Sequence, residues 1–110
     1  MTIKELQHAA HAQAVASGFW NPPASLGAQL ANMHSELSEA WEEYRAGRPL
    51  DQIWYEPNTY KPCGFPIELA DVIIRIADTA WVYGIDLEEA IRLKMAFNKT
   101  RPFRHGGKHA

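Results

Sequence analysis

The sequence predicts an all-α fold, a four-helix bundle-like single domain over residues 1–110 that is oligomeric through its central helices. Three observations carry this reading. Four segments repeat apolar residues at helical spacing, each bounded by capping or breaking residues. No stretch alternates apolar and polar residues between turn signals, as a half-buried strand would. The segment IELADVIIRIADTAWVYG, residues 67–84, is apolar over so wide an arc that it is either central or buried between subunits, and in so short a chain the interface is favoured.

The first helix runs roughly from Ile3 to Ser17. Thr2 and Glu5 have the spacing of a capping box, and Gly18 is a plausible stop. FWNPP (19–23) breaks the chain, because consecutive prolines cannot continue a helix. The second helix starts near Ala24 or Ser25 and ends by Gly47, with Arg45 placed among the partly negative carbonyls of its last turn. Residues 48–65 are irregular, with three prolines, a glycine and four aromatic rings; the rings argue against full disorder. In the third helix Pro66 fits the first turn and Gly84 the end. Leu69, Val72, Ile73, Ile76, Ala80 and Tyr83 form its main apolar face. The fourth helix is DLEEAIRLKMAFNK (86–99), where Asp86 and Glu89 repeat the capping-box spacing and Pro102 ends the element.

Composition narrows the function classes. At 46% hydrophobic and 22% charged, the chain reads as soluble and globular. Its single Cys63 excludes an internal disulfide and any zinc site built from several cysteines. No apolar run reaches the roughly 20 residues needed to span a bilayer, and MTIKELQHAAHAQ lacks the apolar core of a signal peptide. The expected location is cytoplasmic, with no membrane partner. The net charge of −2 hides an asymmetry: six of the eleven Lys and Arg residues, and no acid, lie from Arg92 onward. This basic tail is too small a footprint on an acidic domain to suggest nucleic-acid binding.

The acids are more informative. HSELSEAWEE (34–43) puts Glu36, Glu39 and Glu43 on one helical stripe, beside an apolar stripe of Leu30, Met33, Leu37, Trp41 and Tyr44. A solvated helix face usually interleaves lysines with its glutamates. Here Lys4 is the only Lys or Arg before Arg45. The third helix offers a second pair, Glu68-x-x-Asp71, with Asp78 two turns on. If the apolar stripes of the two helices pack antiparallel, the pairs face each other at the edge of the core. Four converging carboxylates would take up protons or bind a cation. All-oxygen ligands select hard ions, Mg²⁺ with Mn²⁺ acceptable. Carboxylate-bridged di-iron bundles add Glu-x-x-His, which neither pair provides. His34 reads as a packing residue.

With these residues in view, the sequence resembles the MazG-like nucleoside triphosphate pyrophosphohydrolases, an all-α superfamily. The resemblance rests on Glu36-x-x-Glu39 with Glu68-x-x-Asp71, and on the blocks SELSEAWEEYR, GFPIELADVIIRIAD, GIDLEEAI and KMAFNKTRPFRHGGK. It covers about residues 18–108. One departure is Ser35, where the family motif often has a further glutamate. The resemblance implies Mg²⁺-dependent cleavage of a nucleoside triphosphate, often deoxy or non-standard, to the monophosphate and pyrophosphate. It implies metal binding by Glu36, Glu39, Glu68 and Asp71, and a homodimer or homotetramer. A metal-activated water would attack the α-phosphorus, with Glu39 or Glu36 helping to deprotonate it.

The basic end then has a use. Lys94, Asn98 and Arg101 can share one side of the fourth helix, the cations suiting phosphate oxygens and the amide a sugar or base. In RHGGK, Arg104 and Lys108 could close over pyrophosphate. Trp20 is the preferred base-stacking candidate among the loop aromatics. The competing reading is a non-catalytic helical oligomer whose acids are a solvated or partner-binding face. Stabilisation by millimolar Mg²⁺ or Mn²⁺ separates the two.

Overall fold

Helix α3 is the spine against which the other elements are placed. The computed structural model describes residues 1–102, in the order α1 (Ile3–Ala16), α2 (Leu26–Arg45), β1 (Trp54–Tyr55), β2 (Pro62–Cys63), α3 (Phe65–Val82) and α4 (Leu87–Lys99). The all-α class stands. The boundaries follow local chemistry. Thr2 and Glu5 form both bonds of the capping box at 3.0 Å, and the Ser25 hydroxyl accepts from Ala28 N–H at 3.1 Å. Asp86 accepts from Glu89 N–H at 3.1 Å, but the box is only half made. Arg92 holds the Glu89 carboxylate at 2.6 and 2.9 Å instead. Gly64 precedes α3 with φ of 120°, and a Cβ there would lie 2.4 Å from the Gln52 carbonyl oxygen, so no other residue fits.

The segment 48–65 departs from the sequence expectation by pairing β1 with β2, Trp54 opposite Cys63 and Tyr55 opposite Pro62. Two-residue strands are too short for alternation to register. Glu56 and Lys61 close the ribbon with an N–H to carbonyl bond of 3.0 Å. Arg48 lies 4.4 Å from the Trp54 ring centroid and 3.6 Å from Glu43, which fixes the segment to the end of α2.

α1 and α2 both pack along α3, and α2 runs antiparallel to it. The seam between α2 and α3 is not the one expected. Leu30, Leu37, Trp41 and Tyr44 are exposed, as are Leu69, Ile73 and Ile76. The buried positions are small or polar: Gln29 and Ala40 on α2, Ala77, Thr79 and Ala80 on α3. Glu36 is therefore turned toward the seam and Glu39 is exposed beside it, while Leu37, Trp41 and Tyr44 line an open groove with Phe65 and Leu69 of α3. His34, expected to pack, is exposed. Small side chains permit close helix approach, and the buried positions of both helices are small or polar while the large residues are left partly exposed.

α4 stands apart. Its start is tied to α1, where Glu88 accepts from Ile3 N–H at 3.1 Å and Lys4 N–H at 3.4 Å, and Gln7 donates to the Ile85 carbonyl at 2.8 Å. Beyond that turn no residue of α4 is buried. The radius of gyration is 16.6 Å, against about 13 Å for a compact chain of roughly this length.

Glu88→Ala is expected to cost about 0.5–2 kcal/mol, the usual range for loss of an acceptor at a helix N-terminus. Amide exchange at Ile3 and Lys4 should quicken. An unchanged urea midpoint with unchanged exchange would show that this tie does not hold α4.

Candidate metal centre and its cavity

Two carboxylates come from one turn of α3 and one from the facing side of α2. Glu36, Glu68 and Asp71 each offer an oxygen, and these atoms lie within 4.8 Å of one another. All three side chains are half-buried. They line a cavity of about 330 Å³ together with Glu39, Lys61, Pro62 and Ile67. The i,i+3 spacing of Glu68 and Asp71 places both on the α3 face that meets α2. Glu39 is exposed at the cavity wall and is not among the three clustered carboxylates. The four expected ligands thus share a cavity, and three of them converge.

The electrostatics fit a cation. Burial pushes the Glu68 carboxyl above its ordinary value, and the charges of Asp71, Glu36, Glu39 and Glu43 push it further. Asp71 is also raised, by burial and by Glu36, with Arg75 and Lys61 opposing. A cluster of carboxylates that resists ionisation in the bare protein is a suitable donor set for a hard divalent ion.

Two basic residues missing from the sequence reading take part. Arg75 Nε donates to Glu36 Oε1 at 2.8 Å, so this carboxylate is not unpaired, as the scarcity of basic residues in the first half had suggested. Arg75 lies one turn beyond Asp71, and that i,i+4 spacing was its available signal. Lys61 reaches the cavity only because the β-ribbon turns it there, and no local pattern marks it. Glu43, the third acid of the stripe, faces Arg48.

The remaining candidates fall elsewhere. Lys94, Asn98 and Arg101 do not line the acidic cavity. Lys94 Nζ lies 5.2 Å and Arg101 Cζ 6.0 Å from the Phe97 ring centroid, on the far part of α4. The helix is held only at its start, so in a single chain these groups stay with α4. Trp20 donates its indole N–H to the Asp78 carboxylate at 2.9 and 3.1 Å, and His11 Nδ1 lies 2.9 Å from the same group. Asp78 is buried in this arrangement and does not extend the acidic cluster. Arg104 and Lys108 lie outside the described residues.

Comparison with known proteins adds one relative. The chain is 33% identical over 81 residues to a protein of Cyanophage S-2L named dATP/dGTP diphosphohydrolase, which covers 74% of this chain and 61% of that protein. The chain therefore spans about three-fifths of the relative's length. No family model matches the chain, and no solved structure matches it.

The raised carboxyls fix the sign of a pH effect. Their stabilising contribution is fully present below the ordinary carboxyl range and is lost as pH rises through the raised values. Glu68→Gln is therefore expected to melt higher than the parent at pH 7 without metal, the gap closing as pH falls. The same variant should lose the rise in melting temperature that millimolar Mn²⁺ or Mg²⁺ gives the parent. A variant that melts lower and keeps the full cation response would remove Glu68 from the site.

Proposed function

We propose that this chain hydrolyses a nucleoside triphosphate, with a purine deoxynucleotide as the leading candidate, to the monophosphate and pyrophosphate. The observation that carries the reading is the convergence of Glu36, Glu68 and Asp71 across the α2–α3 seam, in a cavity that also holds Lys61. The named activity of the cyanophage relative supports the substrate class. Glu36, Glu68 and Asp71 would hold Mg²⁺, with Mn²⁺ as an alternative, and Glu39 would face the attacking water. A divalent ion there supplies Lewis-acid polarisation of the phosphoryl oxygens and offsets the repulsion between an anionic substrate and an acidic cavity.

The chain's own residues divide the remaining work. Glu36 is committed to Arg75 and to the cluster, whereas Glu39 stands free of it, so Glu39 is the proposed base. It takes a proton from water as the water oxygen bonds to the α-phosphorus. The bond from that phosphorus to the bridging oxygen breaks, and pyrophosphate leaves with the electron pair. Lys61 meets phosphate oxygens in the cavity.

The protein is proposed to work as a homodimer or homotetramer. Ile91, Leu93, Met95 and Phe97 on α4 and the apolar stripe of α2 are uncovered in one chain, a surface that a second copy of matching apolar character would bury. Lys94, Asn98 and Arg101 would then serve a cavity of the assembly, since α4 does not bring them to its own. Arg104 and Lys108 continue the same basic segment.

Incubation with Mg²⁺ and a panel of NTPs and dNTPs is expected to give monophosphate and intact pyrophosphate. Glu39→Gln should lower kcat by about 10²–10⁴-fold, the range for loss of a general base, while the cation-induced rise in melting temperature remains. Stepwise release of single phosphates would overturn the proposed reaction. In sedimentation, the mass should be a multiple of the 12.4 kDa protomer. Met95→Asp with Phe97→Asp should shift it toward the monomer, and a parent that sediments as a monomer would exclude the assembly.

A further inference from the structure

The three converging carboxylates are not held alike. Glu68 and Asp71 come from one turn of α3, whose backbone fixes their relation. Glu36 comes from α2 and meets them from across the seam. Its place among the ligands depends on what fixes its side chain. We infer that Arg75 and Phe19 are a positioning pair that sets Glu36 for the divalent ion, so that the turn after α1 tunes a site built from α2 and α3. The inference rests on the metal-site reading above and concerns two residues that hold no ion themselves.

The bond to Glu36 suits an orienting role. Arg75 Nε donates to Glu36 Oε1 at 2.8 Å, and both side chains are partly buried. An ionised carboxylate offers about four lone-pair sites on its two oxygens, so one such bond leaves acceptors for a cation. Arg75 follows Asp71 by one turn of α3. The bond therefore refers Glu36 to the helix that carries the other two ligands. Groups that bind a metal are commonly held by a hydrogen bond from an outer partner of this kind.

Arg75 is itself held. Its Cζ lies 4.7 Å from the Phe19 ring centroid, within the range of a cation–π contact. Both residues border a second cavity, of about 180 Å³, between α1, the turn after it and α3. The Phe19 N–H donates to the Ala14 carbonyl at 2.9 Å, and its ring meets that of Trp20 edge-on, with centroids 6.1 Å apart. Trp20 donates at 2.9 Å to Asp78, which is buried one turn beyond Arg75 on α3. Asp78, Trp20, Phe19, Arg75 and Glu36 thus form one continuous chain of contacts. Buried Asp78 gains a role that the hydrolytic steps leave open: it docks the turn so that Phe19 stands over Arg75.

Charge and orientation predict opposite signs. A guanidinium beside a cation site repels the ion, so on charge alone its removal tightens binding. If it orients Glu36, its removal loosens binding. Lysine separates the two, because it keeps the charge but presents a compact ammonium without the planar face that stacks on a ring.

The test titrates the full chain with Mn²⁺ alone, following free Mn²⁺ by electron paramagnetic resonance with no nucleotide present. Arg75→Lys and Arg75→Gln should each raise the Mn²⁺ Kd by about 10–100-fold, the range for loss of an outer partner of a metal ligand. Phe19→Leu should raise it by about two- to fivefold, the range for a partly exposed cation–π contact. Phe19→Tyr, which keeps the ring, should restore the parental Kd. In the Arg75→Gln background Phe19→Leu should change nothing further, because its effect passes through Arg75. An unchanged Kd in Arg75→Lys, with tighter binding in Arg75→Gln, would overturn the inference and leave the metal site standing. So would Phe19→Leu and Phe19→Tyr both at the parental Kd, a comparison that decides even where the Arg75 variants do not fold. A parent that binds no Mn²⁺ would discard the metal site and the inference together.

Discussion

The contact on which the site depends is the pair between Arg75 and Glu36 across the α2–α3 seam. Three carboxylates within 4.8 Å of one another repel strongly. Like charges about 4 Å apart at an effective dielectric near 20 cost roughly 4 kcal/mol per pair. One guanidinium offsets part of that and ties the two helices at the level of the cluster. It does not neutralise the cluster: burial first, and then the neighbouring carboxylates, hold the Glu68 and Asp71 carboxyls above their ordinary values. The seam is therefore stable enough to form and still short of positive charge, the condition under which a divalent ion gains most by binding.

The same seam explains the distribution of apolar surface. The buried positions are small, Ala40 on α2 and Ala77 and Ala80 on α3, and Glu36 is half-buried beside Arg75. Trp41, Tyr44, Leu37 and Leu69 are left around an open apolar groove at the side. With α4 held only at its first turn, the chain is extended, at 50 × 37 × 28 Å. A chain of this shape places its polar chemistry where packing is firm and leaves many of its large apolar residues uncovered.

Around the seam, separate segments bring different chemistry. The β-ribbon, set by Gly64 and the Arg48–Trp54 contact, carries Lys61 to the acidic cavity. The turn after α1 carries Phe19 to the cavity between α1 and α3, while Trp20 and His11 hold Asp78 from the same side. The helices hold the anions, and the connecting segments supply the cation and the aromatic ring that border them.

What the sequence determined was local. Thr2, Ser25 and Asp86 announce helix starts because a cap is a bond between residues three apart. Glu36-x-x-Glu39 and Glu68-x-x-Asp71 are legible because helical periodicity fixes the angle of each residue about its own axis. Periodicity says nothing of how one helix is rotated against another. That rotation put Glu36 and Ala40 in the seam and left Leu37 and Trp41 half-exposed in the open groove beside Leu69. The pairing of Arg75 with Glu36, the arrival of Lys61 beside Glu36 and the attachment of Trp20 to Asp78 join residues 39, some twenty-five and 58 positions apart, respectively. Only the tertiary structure decided them, because contacts between distant residues depend on how whole elements pack and not on the spacing within any one of them.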